Sequence, residues 1–187
     1  IFPPNPRWES LSTFPKSSNY RTASSPVGRL KIRKSGGVSL CTGFLVGNGL
    51  ILTNNHCISD DGRSSEAVLE MGYYSRVGFP TRYAVDVNPV LTDKGKDISL
   101  LRVSGSPEAQ WGKVNFSSLD ISPGDELFII HHPGGQPKKI SRVGCFTGPK
   151  QNLRFGRFLH QCDTVGGSSG SPIFDTQGRV VGIHHRG

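Results

Sequence analysis

Residues 166–172 read GGSSGSP, and they lie downstream of TNNHC at 53–57 and KDISLL at 96–101. The three stretches supply His56, Asp97 and Ser169, in that chain order. A serine hydroxyl is a weak nucleophile at neutral pH. It needs an imidazole to take its proton and a carboxylate to orient that imidazole and stabilise its cation. The flanking glycines allow a turn in which the N–H groups of Gly167 and Ser169 converge on one point, as an oxyanion hole requires. A Gly/Ser run alone is a turn, and a lone histidine is a structural residue. Asp97 alone would be an ordinary start of a strand. Their order and spacing together assign them as a Ser-His-Asp triad for acyl transfer.

Composition places these stretches in a β protein. Of 187 residues 34% are apolar, enough for one folding unit or two small barrels sharing a core region. Twenty-four glycines and thirteen prolines imply many turns, hence an all-β chain. Residues 1–27, rich in Pro, Ser and Asn, are expected to form an extended lead-in. Apolar β-type segments near 28–33, 38–46, 49–53, 66–73, 82–91 and 97–103 suffice for a first barrel over 28–103, carrying His56 and Asp97. Residues 104–124 are the expected linker between barrels. Segments near 125–131, 138–146, 154–162, 171–175 and 179–184 build a second barrel over 125–187, with Ser169 and the substrate pocket. Residues 113–116 are a candidate extra edge. No segment carries a helical stripe, and no apolar run approaches membrane-spanning length, so no membrane contact is expected.

CTGFLVGNGLILTNNHC at 41–57, DISLL at 97–101 and GGSSGSP resemble the Cys-to-His-Cys segment, the Asp strand and the Ser loop of chymotrypsin-fold serine proteases. More narrowly, IFPPNPRW at 1–8, TVGGSSGS at 164–171 and GIH at 182–184 resemble features of the bacterial glutamyl endopeptidases. IHHP at 130–133 with KKIS at 138–141 is similar to a segment of bacterial lysyl endopeptidases. The resemblance implies an all-β fold of two six-stranded antiparallel barrels, with the active site in the cleft between them. It implies a secreted serine endopeptidase working through an acyl-enzyme on protein or peptide substrates, with no metal or organic cofactor. Residues 184–187 would run beside the substrate as an antiparallel strand. Family members continue past the position of Gly187 with a further strand and a helix. The second barrel is therefore expected to lack both, and a protein inhibitor or a chain completing the barrel is a candidate partner.

Specificity divides the motifs. Ser168 stands where animal trypsin-like enzymes carry an Asp that pairs with the new N-terminal ammonium, and a serine cannot form that pair. If Ile1 is the true N-terminus, its ammonium is then free for another role. The resemblance places Thr164 and His184 in the primary pocket, where with Ile1 they would donate hydrogen bonds to a substrate Glu. Asp163, six residues before Ser169, resembles instead the pocket-floor Asp of trypsin-like enzymes, and predicts cleavage after Arg or Lys. More features agree on Glu, which is the expectation; Arg/Lys is the alternative. His131 and His132 are expected at a strand-end turn, one buried and one exposed. His185 and Arg186 are expected at the cleft border.

Four cysteines in a small β protein suggest disulfides and an oxidising compartment: secreted or extracellular, with periplasm or cell surface also open. The resemblance implies a Cys41–Cys57 bridge, which would clamp the His56 loop. Cys145 and Cys162 lie in successive apolar segments and suit a cross-hairpin bridge. His160, two residues before Cys162, raises zinc, but the CxxC spacing of a structural site is missing. The net charge is +8, with a modest cluster from Lys138 to Arg157 suited to anionic walls or acidic substrates. Aromatics do not interleave with it as a nucleic-acid platform would require. Three other classes compete. A catalytically idle protease-fold binding protein would usually lack a triad member. A stress protease with a peptide-binding module would need more chain. A viral-type processing protease that binds RNA is disfavoured by two disulfides.

Overall fold

Period-two alternation is plainest in Val27–Lys34 (β2), where Leu30 and Ile32 are buried and Arg29, Lys31 and Arg33 turn outward. The computed structural model describes residues 5–58, 64–148 and 156–186. Seven strands form the first sheet: β2, Gly37–Gly47 (β3), Leu50–Thr53 (β4), Ser64–Met71 (β5), Thr81–Val85 (β6), Leu91–Asp93 (β7) and Ile98–Arg102 (β8). Their order is β6-β5-β2-β3-β4-β8-β7, and every pairing is antiparallel. Five strands form the second: Glu9–Ser10 (β1), Leu127–His131 (β9), Lys139–Ser141 (β10), Pro172–Asp175 (β11) and Val180–Ile183 (β12), in the order β1-β10-β9-β11-β12.

The fold is thus all-β and chymotrypsin-like, with two antiparallel sheets. The strand count differs from two sets of six, and among the described residues neither sheet closes by a continuous ladder. In the first sheet the segment 82–91 is divided into β6 and β7 around Pro89, which cannot donate a ladder hydrogen bond. Only the isolated Val85–Val103 bridge joins β6 to the end of β8. In the second, β10 stops at Ser141, and Phe146 and Thr147 make single bridges to Glu126 and His160.

The segment expected to be an extended lead-in is folded. It contains β1, a 3₁₀ turn at Leu11–Thr13 and a helix Asn19–Ser24 (α1), whose N-cap Ser18 accepts from the Arg21 N–H at 3.2 Å. Glu9–Ser10 pairs with Ile140–Lys139, so the lead-in is an edge strand of the second sheet. Its Leu11 is fully buried, and Tyr20 packs edge-on against Phe128. Between the sheets' own segments, Glu108–Trp111 is a single helical turn (α3), and Phe116 bridges Val180 in parallel beside β12.

Three apolar clusters hold the chain. Leu30, Leu45, Ile51, Leu69 and Leu101 fill the first sheet's interior. Val27 and Phe44 from the first sheet meet Leu11 of the N-terminal segment and Phe128, Ile130 and Phe174 of the second sheet, joining the two sheets. Leu127, Ile129 and Ile173 lie over the Cys145–Cys162 disulfide.

Candidate functional site

His56 sits on a one-turn helix, Asn55–Ile58 (α2), directly after β4, and Asp97 directly precedes β8. Because β4 and β8 are antiparallel neighbours with Thr53 opposite Ser99, these two residues emerge at the same end of the sheet. The Asp97 carboxylate grips His56 twice. Oδ1 accepts from the His56 main-chain N–H at 2.9 Å, and Oδ2 lies 2.6 Å from Nδ1. Asp97 has a φ of 59°, a left-handed conformation uncommon outside glycine and held here by the Asn54 side-chain N–H on its carbonyl at 2.9 Å. The Cys41–Cys57 disulfide ties the turn carrying His56 back to β3.

Ser169 belongs to the loop entering β11, and the first sheet holds that loop. Thr42 of β3 donates its N–H to the Ser169 carbonyl at 2.8 Å and its hydroxyl to the Gly167 carbonyl at 2.9 Å. Gly170 has a φ of 82°, and a Cβ there would overlap the Thr42 carbonyl and the Thr53 hydroxyl. The Gly166 carbonyl accepts from the Gly134 N–H at 2.6 Å. Across a trans peptide the N–H points opposite the carbonyl, so the Gly167 N–H is turned away from Gly134. Thr42 was not legible as a site residue; nothing in its own neighbourhood says that a loop 125 residues away rests on it.

Ser168, which lacks the carboxylate for an ammonium partner, is held by a neutral relay. The Ser141 hydroxyl donates to the Asp163 carbonyl at 2.7 Å, so its single hydrogen is spent. At 3.3 Å the His131 Nε2 must therefore donate to Ser141, and its Nδ1, 2.7 Å from the Ser168 hydroxyl, accepts. Ser168 Oγ in turn accepts from the Val165 N–H at 3.2 Å. Burial, opposed by Asp163 and aided by Lys139, pushes His131 down to about 3, which keeps it neutral. The expectation of one buried and one exposed histidine is corrected: both His131 and His132 are fully buried. The reason is β9, whose five residues are all inside, with His132 stacked on Tyr73 and its Nδ1 2.9 Å from the Gln136 carbonyl.

Asp163 is occupied. Its carboxylate accepts from the Arg7 main-chain N–H at 2.8 Å and from Arg7 Nε at 3.2 Å. Burial works to raise its pKa, but the Arg7 contacts outweigh it and hold the group below the usual carboxylate range. Trp8 then packs edge-on against His131. His184 is buried and locked to the Ser169 loop, its N–H on the Ser171 carbonyl and its carbonyl receiving the Gly170 N–H, both at 2.9 Å. Thr164 lies in the same loop, half-buried, and its hydroxyl makes no hydrogen bond among the described residues. His185 Nδ1 lies 3.7 Å from Asp97 Oδ2. Ile1 lies outside the described residues. Among those residues, the one cluster with metal-ligand spacing is Cys41, His56 and Cys57, and its two sulfurs are bonded to each other.

Two sheets joined through a common core, with His56 and Asp97 from one and a glycine-flanked Ser169 from the other, are the arrangement of chymotrypsin-fold serine proteases. Residues 41–183 match the trypsin-like peptidase domain family, and the chain belongs to it. It is 30% identical to the secreted RxLR effector protein 73 of Plasmopara viticola, over 91% of this chain and 47% of that protein. It is 27% identical to a glutamyl endopeptidase of Staphylococcus epidermidis, over 81% of this chain and 56% of that protein. The chain thus spans about half the length of these relatives. The crystal structure of the Rv3671c protease from M. tuberculosis, active form, superposes with a TM-score of 0.71 at 18% identity, over 99% of this chain and 82% of that one.

Proposed function

We propose that the chain is a serine endopeptidase that cleaves after glutamate. Ser169 attacks the scissile carbonyl; His56 takes its proton and returns it to the leaving amine. The observation that carries this reading is the double grip of Asp97 on His56. With Nδ1–H committed to Oδ2, the neutral ring keeps its lone pair on Nε2, as a general base requires. The Gly167 and Ser169 N–H groups bind the oxyanion, each donor worth roughly 3–4 kcal/mol in comparable sites.

The Glu preference rests on which charges remain in the pocket. The Asp163 carboxylate would attract a substrate Arg or Lys, but Arg7 already neutralises it. Thr164 and His184 flank the same loop as hydrogen-bond donors, and the similarity to a staphylococcal glutamyl endopeptidase points the same way. Two disulfides and a secreted relative favour an extracellular setting.

The test is digestion of a diverse peptide library, with every cut mapped by mass spectrometry and Ser169→Ala as the control. Cuts after Glu that vanish in the control support the proposal. Cuts after Arg or Lys would move the specificity back to Asp163. No Ser169-dependent cut, and no labelling of Ser169 by a fluorophosphonate, would make the chain a binding protein.

A further inference from the structure

His160 is a half-buried imidazole that the mechanism above does not use. We infer that it is a positioning residue for specificity: it fixes the tautomer and ring orientation of His184, so that His184 offers an Nε2–H to the substrate carboxylate. The inference rests on the reading of His184 as a pocket residue.

The proton positions follow from the contacts. The Cys162 main-chain N–H can only donate, and it points at His160 Nδ1 at 3.2 Å. That nitrogen therefore carries no hydrogen, and the neutral ring holds its proton on Nε2. His160 Nε2 lies 2.9 Å from His184 Nδ1, so it donates and His184 Nδ1 accepts. His184 in turn must carry its own hydrogen on Nε2. Among the described residues this N–H has no hydrogen-bond partner, and it is the donor His184 has left to give. The two rings meet edge to face, 5.1 Å between centroids, which leaves the second ring little freedom to turn over.

The start of the relay is fixed to the frame. Cys162 is bonded to Cys145, and His160 is bridged to Thr147. Its end is fixed by the two main-chain hydrogen bonds between His184 and the Ser169 loop. Both rings stay neutral at ordinary pH. Burial and the charge of His185 push His160 down to about 4; burial, followed by His160 and then His131, His185 and His56, pushes His184 down to about 3. A neutral, oriented donor suits a carboxylate without binding a chloride or phosphate as an imidazolium would. The His131 relay beside it obeys the same logic with a different target, the peptide before the nucleophile.

The test pairs a spectroscopic readout with kinetics. In the Ser169→Ala protein, 15N-labelled at histidine, the ring nitrogen shifts should show His184 as the Nε2–H tautomer at pH 7. In His160→Phe that signature should broaden into a tautomer mixture. On the active protein, His160→Phe should raise KM for a Glu-containing peptide about tenfold with kcat within about threefold. His160→Gln, whose side-chain amide can still donate to Nδ1, should recover most of the loss. An Nδ1–H tautomer on wild-type His184, or an unchanged KM in His160→Phe, would overturn the inference. If wild-type protein shows the Nε2–H tautomer but does not cut after Glu, the proposed specificity fails while the positioning role of His160 stands.

Discussion

Arg7 holds Asp163 with both its main-chain N–H, at 2.8 Å, and its guanidinium, at 3.2 Å. The N-terminal segment thereby neutralises a carboxylate that, in the proposed pocket, would favour basic substrates. Glu9 adds a second tie through Arg142, at 2.6 and 3.0 Å, and β1 a third through β10. Arg7→Ala should therefore leave the fold and the main-chain N–H contact intact while removing the guanidinium charge from Asp163. Cleavage after Glu is expected to fall about tenfold in kcat/KM, and cleavage after Lys or Arg to rise from background. Competition assays with paired peptides differing only at the cut residue measure both. A specificity unchanged by Arg7→Ala would remove Asp163 from the pocket.

Gly170 lets the Ser169 loop approach β3, and its positive φ and lack of space exclude a side chain. Gly170→Ala should displace Ser169 and lower kcat/KM by roughly 100-fold or more, as expected of misplacement near one ångström. Circular dichroism should show the sheets retained. A fully active Gly170→Ala protein would mean that the loop does not need this contact.

The Cys41–Cys57 bridge spans 16 residues and ends one residue from His56. Replacing both cysteines with alanine should cost about 2–4 kcal/mol of stability. It should also lower kcat more than it raises KM, since α2 is what places the imidazole. Denaturant titration and steady-state kinetics on the double variant test the two effects separately.

Burial lowers five imidazoles, four of them far: His131 and His184 to about 3, His160 to about 4, and His132 well below its ordinary value, with His185 lowered as well. The sign is set by proton count. Below about pH 6.5 the unfolded chain binds protons at these sites and the folded chain does not, so stability falls as pH falls through that window. Each such site contributes about 1.4 kcal/mol per pH unit while its two pKa values bracket the pH. The melting temperature should therefore drop steeply between pH 6.5 and 4, and less steeply in His131→Gln. A flat profile would mean that these rings are protonated in the folded protein.

Lys138 is fully buried, with Nζ 2.6 Å from the Ser24 carbonyl and over the Tyr74 ring. Burial, helped by Arg21, pushes it down to about 7. Between pH 7 and 10.5 the unfolded lysine binds a proton that the folded one sheds, so this site also makes stability rise with pH. The difference in stability between Lys138→Met and wild type should accordingly shift in wild type's favour from pH 6 to pH 9. Thermal melts at the two pH values decide it.

Motif and spacing brought His56, Asp97 and the Ser169 loop to attention because their chemistry is written in short runs. Both disulfide pairings were legible, one from the family resemblance and one from the segments that hold it. The settings of Asp163 and His160 were not legible for one reason: their partners, Arg7 and His184, are 156 and 24 residues away. The strand count was blurred where Pro89 and the stop after Ser141 break ladders that composition alone leaves continuous. Lys138 read as one more member of a basic cluster, although its own side chain is inside.

The sequence by itself determined an all-β chain, its family, and the residue types available for acyl transfer, because glycine turns, period-two alternation and local triad motifs are short-range properties. Only the tertiary structure decided which charges are free. Arg7 cancels Asp163, Ser141 and Ser168 fix the tautomer of His131, and Cys162 through His160 fixes that of His184. Proton positions and net pocket charge depend on groups within about 3 Å in space, the reach of a hydrogen bond, and residue order does not encode that proximity.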